Sequence, residues 1–81
     1  MAVKEKELQE AKASYLRAIA FAKKHALHSE HLVNAYLGLA WCLAVQGQTP
    51  AAIKNYEKAR QLTESPETQK LIDKKLAELK K

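Results

Sequence analysis

The sequence predicts an all-α protein, and three observations carry this prediction. Glycine and proline number only two each in 81 residues, which is too few for a protein of strands and tight turns. Alanine and leucine are abundant, and both favour helix. Apolar residues recur at spacings of three and four, as they do on one face of a helix. The length suits a single domain, residues 1–81.

The first helix is predicted from about Lys4 to His25 or Leu27. Steps of three and four place its apolar residues on one stripe. That stripe consists of Leu8, Ala11, Tyr15, Ala18, Ile19, Ala22 and Ala26. Leu16 and Phe21 lie beside the stripe, so we expect a broad buried face.

The second helix is predicted from about Glu30 to Gln46, with Ser29 as its N-cap. It is apolar almost all round, and a helix of that kind needs cover on several sides. We therefore expect it at the centre of the domain. Gly47 should end it, because glycine readily adopts the left-handed conformation that follows many helices.

Two further helices begin at matching signals. Thr49-Pro50 and Ser65-Pro66 each combine an N-cap residue with a proline in the first turn. The third helix has a stripe of Ala52, Ile53, Tyr56, Ala59 and Leu62. The fourth runs from Pro66 to about Leu79, and its stripe is Leu71, Ile72, Lys75, Leu76 and Leu79. Because the loops are short, sequential helices should be antiparallel neighbours.

The chain also contains an internal repeat. Ala11, Tyr15 and Ala18 recur 41 residues later as Ala52, Tyr56 and Ala59. Internal periods of this size are typical of stacked helical arrays. The alanines allow two helices to approach closely, and the aromatic ring fills the space between successive hairpins.

Residues 33–66 resemble a tetratricopeptide repeat. The first-helix pattern of that family, Trp-x2-Leu-Gly-x2-Tyr, reads here Tyr36-x2-Leu39-Ala40-x2-Leu43. The second-helix pattern, Ala-x3-Phe-x2-Ala, is met by Ala52, Tyr56 and Ala59. The period of 41 is similar to that of the longer repeats of the kinesin-light-chain type. The resemblance implies four antiparallel helices in a right-handed stack of helical hairpins.

In that arrangement, residues 30–64 form one full repeat. Residues 1–28 form a long helix that resembles the second helix of a repeat, and residues 66–81 form a C-terminal capping helix. Family members scaffold complexes and bind a peptide or helix in a concave groove lined by the first helix of each hairpin. Here that face would carry Asn34, Leu37, Trp41, Ala44 and Val45. Asn34 is its only polar group, so an apolar helix suits this face better than an acidic peptide terminus.

Three interpretations of Leu37 and Trp41 stay open: burial within the chain, self-association, or a site for another protein. Stacked arrays need about three repeats to cover their apolar faces, and this chain has about two. We therefore expect exposed apolar ends and a homodimer that covers them. An excised piece of a longer array would expose the same ends, although the start at Met1 and the polar C-terminus weakly oppose this.

The charge pattern favours a solvated surface over nucleic-acid binding. The net charge is +5, but twelve of the fourteen cations are lysine, and glutamates interleave with many of them. The alternative function is a basic helical module that binds RNA or an acidic surface. It would use Lys70, Lys74, Lys75, Lys80 and Lys81.

Neither a metal site nor a catalytic site is expected. His25, His28 and His31 are spaced three apart, but the predicted break at Ser29 separates them. Cys42 lies among apolar residues, as a buried and unreactive thiol would. The sequence has no glycine-rich phosphate loop and no apolar run long enough for a membrane span or a signal peptide. We expect a cytoplasmic protein that is not an enzyme and needs no cofactor.

Overall fold

The computed structural model describes residues 5–25 and 30–80. They form four α-helices: α1 (Glu5–Lys24), α2 (Glu30–Val45), α3 (Thr49–Leu62) and α4 (Pro66–Leu79). The predicted all-α fold and the order of its helices are confirmed. The roles predicted for Ala26, His28, Ser29 and Lys81 lie outside the described residues. None of the four helices is long and apolar enough to cross a membrane.

Helix α2 is central, as its apolar composition predicts. Both α1 and α3 pack against it, and α4 packs against α3. Its buried residues are Val33, Ala35, Tyr36, Leu39, Ala40, Cys42 and Leu43. The ion pairs Arg60–Asp73 and Glu57–Lys80 occur in opposite order along α3 and α4, as they do in an antiparallel pair.

Gly47 ends α2 by the predicted mechanism. Its φ of 80° is in the left-handed region. The N–H of Gly47 donates to the carbonyl of Ala44 at 3.0 Å, and the N–H of Gln48 donates to that of Leu43 at 2.9 Å. These two bonds form a Schellman motif, which satisfies carbonyls that the end of the helix leaves without partners.

The two predicted N-caps have different outcomes. Ser65 caps α4, because its Oγ accepts a hydrogen bond from the N–H of Thr68 at 3.4 Å. Thr49 does not cap α3, so that prediction is wrong. The N-cap of α3 is Gln48, whose carbonyl already accepts a hydrogen bond from the N–H of Ala52. The short turn after Gly47 therefore places Thr49 inside the helix.

Helix α1 buries a narrower face than predicted. Leu8, Ile19 and Ala22 are buried, and Ala11 and Tyr15 are half-buried. Leu16 and Phe21 are exposed, so the expectation of a broad buried face is wrong. Ala18 is also exposed, although the repeat pattern predicts packing there. The reason is that α1 packs chiefly against α2, which covers one flank only.

A groove between α2 and α4 as candidate functional site

An open groove lies between α2 and α4, with Tyr56 of α3 beneath it. One depression, of about 180 Å³, is lined by Leu37, Trp41, Tyr56, Leu71, Ile72 and Lys75. A second, of about 240 Å³, is lined by Trp41, Ala44, Val45, Tyr56, Lys75, Glu78 and Leu79. Trp41, Tyr56 and Lys75 border both depressions, so the two form one continuous surface, the α2/α4 groove.

The α2 wall of the groove contains four of the five residues that the sequence predicts for a concave face. Leu37 and Ala44 are half-buried, while Trp41 is 45% and Val45 46% exposed. Asn34 lies one turn before Leu37 on the same side of α2, is exposed, and lines neither depression. Burial within the chain is thus incomplete at Trp41, which is the only tryptophan of the protein.

The α4 wall was missed by the sequence analysis. Leu71 and Leu79 were assigned to the stripe of α4 that packs inward, yet both line the groove, and Leu71 is 52% exposed. Ile72 is fully buried. Neighbouring residues point about 100° apart on a helix, so Ile72 can be buried while Leu71 stays exposed at the groove. That doublet is the sequence signal for a second apolar face.

The floor of the groove is a neutral phenol. Tyr56 is buried apart from 5% of its surface, and it borders both depressions. Burial raises the pKa of Tyr56, and the nearby carboxylate of Glu78 raises it further. The hydroxyl therefore stays protonated at neutral pH and can donate or accept a hydrogen bond.

Charges of both signs stand at the groove. Lys75 and Glu78 each line it, three residues apart on α4. Neither an anion clamp nor a basic track results from this pair. Two cations elsewhere have acidic partners: Arg60 Nε donates to Asp73 Oδ1 at 2.6 Å, and Nζ of Lys80, just after α4, lies 3.7 Å from Glu57 Oε2.

Gly38 allows α1 to pack closely against α2, and its role was not predicted from the sequence. The ring of Tyr15 lies directly over Gly38, where a Cβ would overlap the ring atoms. Lys12 Nζ also donates to Gln46 Oε1 at 3.1 Å. These contacts place α1 against the side of α2 that carries Gly38, about 100° around the helix from Leu37.

Among the described residues, the side chains that could bind a metal or act in catalysis do not form a cluster. Cys42 is buried, and burial raises the pKa of its thiol against a smaller opposing influence of Lys12, so the reactive thiolate is disfavoured. No group of three metal-ligating side chains comes together within residues 5–25 and 30–80. His25 instead contacts Phe21, with ring centroids 4.3 Å apart and the two ring planes tilted by 43°.

No protein-family model, curated protein or solved structure matches this chain. The tetratricopeptide resemblance therefore stays a prediction. The residues of the α2/α4 groove are the main structural indication of function.

Proposed function

We propose that the protein is an interaction module that binds an amphipathic helix of another protein in the α2/α4 groove. The observation that carries this proposal is the exposure of Trp41, 45% of whose surface is accessible where two apolar depressions meet. Tryptophan is enriched among the residues that dominate binding energy. A large indole in an apolar groove gains free energy when a partner removes it from water.

The size and lining of the groove favour a helix as the occupant. The α2 wall from Leu37 to Val45 spans nine residues, which is about 12 Å of helix from the first to the last. Two apolar side chains at positions i and i+4 of a partner helix lie about 6 Å apart, a spacing that suits adjoining depressions. Lys75 and Glu78 would then orient the partner through acidic and basic residues that flank its apolar stripe.

The tetratricopeptide resemblance supports the same surface. In that family the first helices of successive hairpins line the groove, and α2 and α4 would occupy those two positions. The predicted homodimer stays a prediction. A cytoplasmic location stays an expectation.

The charges of the described residues do not favour the alternative function, which is binding of RNA or of an acidic surface. Lys70 and Lys74 are exposed on α4, but Glu67 and Asp73 are exposed on the same helix. Lys80 lies close to Glu57. Separated cations with acidic neighbours produce a weak positive field, whereas nucleic-acid sites concentrate positive charge.

The proposal can be tested with a displayed library of three-turn amphipathic helices, selected against the full chain. Selected helices should share apolar residues at i and i+4, and their binding should shift the fluorescence of Trp41. By calorimetry, Trp41→Ala should weaken binding about 30-fold, or about 2 kcal/mol, as expected for a central anchor.

Leu16→Ala is the matched control, because Leu16 is a large exposed residue of α1 that lies outside the groove. It should leave the Kd unchanged. The proposal is contradicted if selected helices bind Trp41→Ala and Leu71→Ala as tightly as the unmodified chain while circular dichroism shows an intact fold. Selection of sequences without an apolar stripe would contradict it equally.

A further inference from the structure

The outer side of α1 presents a second surface, which we call the α1 stripe. It consists of Glu7, Ala11, Ser14, Ala18, Phe21 and His25, whose spacings of three and four place them on one flank. Phe21 is 58% exposed, and an apolar depression of about 330 Å³ beside it is lined by Ala18, Phe21, Ala22 and His31. The start of α2 borders this flank at His31, whereas Tyr15 and Lys12 contact α2 further along α1. Ser14, Ala18 and Phe21 stay exposed.

Helix α3 shows what such a stripe packs against. The residues 41 positions after the centre of the α1 stripe are Ala52, Asn55, Ala59 and Leu62. Ala52 and Ala59 are fully buried, and Leu62 packs on the core. The flank of α3 that faces α4 carries Glu57 and Arg60, so its alanines face α2. The α1 stripe therefore shares its two alanines with the face through which α3 packs on a helix, but most of the stripe is exposed.

The opposite end of the stack has a different character. On α4, Glu67, Lys70, Asp73 and Lys74 are exposed. A polar outer face is typical of a terminal helix that caps an array. Leu71, the large exposed apolar residue of α4, lines the α2/α4 groove and does not belong to this polar set, which argues against head-to-tail stacking of copies.

The α1 stripe is complementary to itself. Its spacings of 4, 3, 4, 3 and 4 residues read the same from either end, so they are symmetric about position 16. When two copies of α1 lie antiparallel in this register, three kinds of pair form: Glu7 with His25, Ala11 with Phe21, and Ser14 with Ala18. The carboxylate of Glu7 opposes the imidazole of His25, and the ring of Phe21 opposes the methyl group of Ala11.

The charges of α1 favour the same orientation. Its first turn contains Glu5 and Glu7 with one cation, Lys6, and its last turn contains Lys23 and Lys24 and no acid. An antiparallel pair brings each acidic end next to a basic end, whereas a parallel pair would place like charges together.

We propose that two copies of the chain associate through their α1 stripes, antiparallel and about a two-fold axis near residue 16. Such an interface is isologous, because each residue pair occurs twice. Trp41 and Leu71 lie outside the stripe, so the dimer would leave both α2/α4 grooves open. This inference does not depend on what the grooves bind.

Sedimentation equilibrium of the full chain tests the inference. The mass should rise toward twice 9.1 kDa with concentration. Phe21→Glu should raise the dimer Kd at least about tenfold, because it places a charge in an apolar contact. Leu16→Glu is the matched control: Leu16 is 52% exposed but points about 140° away from Phe21 around α1, so the Kd should stay within about twofold.

A charge exchange tests the register. Glu7→Lys should weaken the dimer, and adding His25→Glu should restore it, since the opposed pair becomes lysine with glutamate. The inference is overturned by a chain that stays monomeric at millimolar concentration, or by equal effects of Phe21→Glu and Leu16→Glu. Loss of the dimer in Trp41→Ala but not in Phe21→Glu would place the interface in the groove and overturn it as well. Circular dichroism must show each variant folded.

Discussion

Helices α1 and α3 carry the same motif in different surroundings. Tyr56 is 5% exposed whereas Tyr15 is only half-buried, and Ala59 is fully buried whereas Ala18 is exposed. Helix α3 lies between α2 and α4, while α1 packs chiefly against α2. The comparison teaches that the motif equips a helix for close packing, but that the number of neighbouring helices decides how much of it is buried.

The two tyrosines also meet different partners. Tyr15 lies over Gly38, which lets α1 and α2 approach closely. Tyr56 instead borders the groove together with Leu79 of α4, and α4 contains no glycine. Tyr15 thus lies at a close contact between two helices, whereas Tyr56 lies beneath the open groove in which Trp41 is exposed.

The largest expected effect separates the two tyrosines. Tyr56→Ala should lower the free energy of unfolding by about 3 kcal/mol, because it removes a buried ring and leaves a cavity. Tyr15→Ala should cost about half as much, since its ring is only half-buried. Urea unfolding followed by circular dichroism measures both values. Equal losses would show that the two surroundings are energetically alike.

An intermediate effect concerns the glycine beneath Tyr15. Gly38→Ala should destabilise by about 2 kcal/mol, because the new methyl group overlaps the ring. In a Tyr15→Ala background the same change should stabilise by up to about 1 kcal/mol, since alanine is the better helix former. A double-mutant cycle of unfolding free energies reports this change of sign. Additive effects would mean that the ring does not restrict position 38.

The smallest effect compares Leu62 with its counterpart Phe21. Leu62→Ala should cost about 1 kcal/mol, because Leu62 is partly buried against the core. Phe21→Ala should cost less than about 0.5 kcal/mol when measured at a concentration where the chain is monomeric, because Phe21 is mostly exposed. A large loss for Phe21 in the monomer would remove the distinction between α1 and α3 at this position.

The α2 wall of the groove could be predicted and the α4 wall could not. Leu37, Trp41, Ala44 and Val45 were predicted from the resemblance to a tetratricopeptide repeat, in which the first helix of a hairpin lines a groove. Spacing along α4 assigned Leu71 to the core, yet Leu71 is exposed. Which surface Leu71 faces depends on the position of α4 in the fold, and spacing along one helix does not contain that information. Gly38 was missed for a similar reason, since its importance depends on a ring contributed by α1.

By itself the sequence determined the all-α class, the order of the four helices, the central place of α2, and the ends at Gly47 and Ser65. These features follow from local conformational preferences and from the periodic spacing of apolar residues, and both act over a few residues. Only the tertiary structure decided that Ala59 is buried and Ala18 open, or that Trp41 borders a groove rather than a filled core. Burial depends on which helices lie on each flank, and that arrangement is a property of the whole chain.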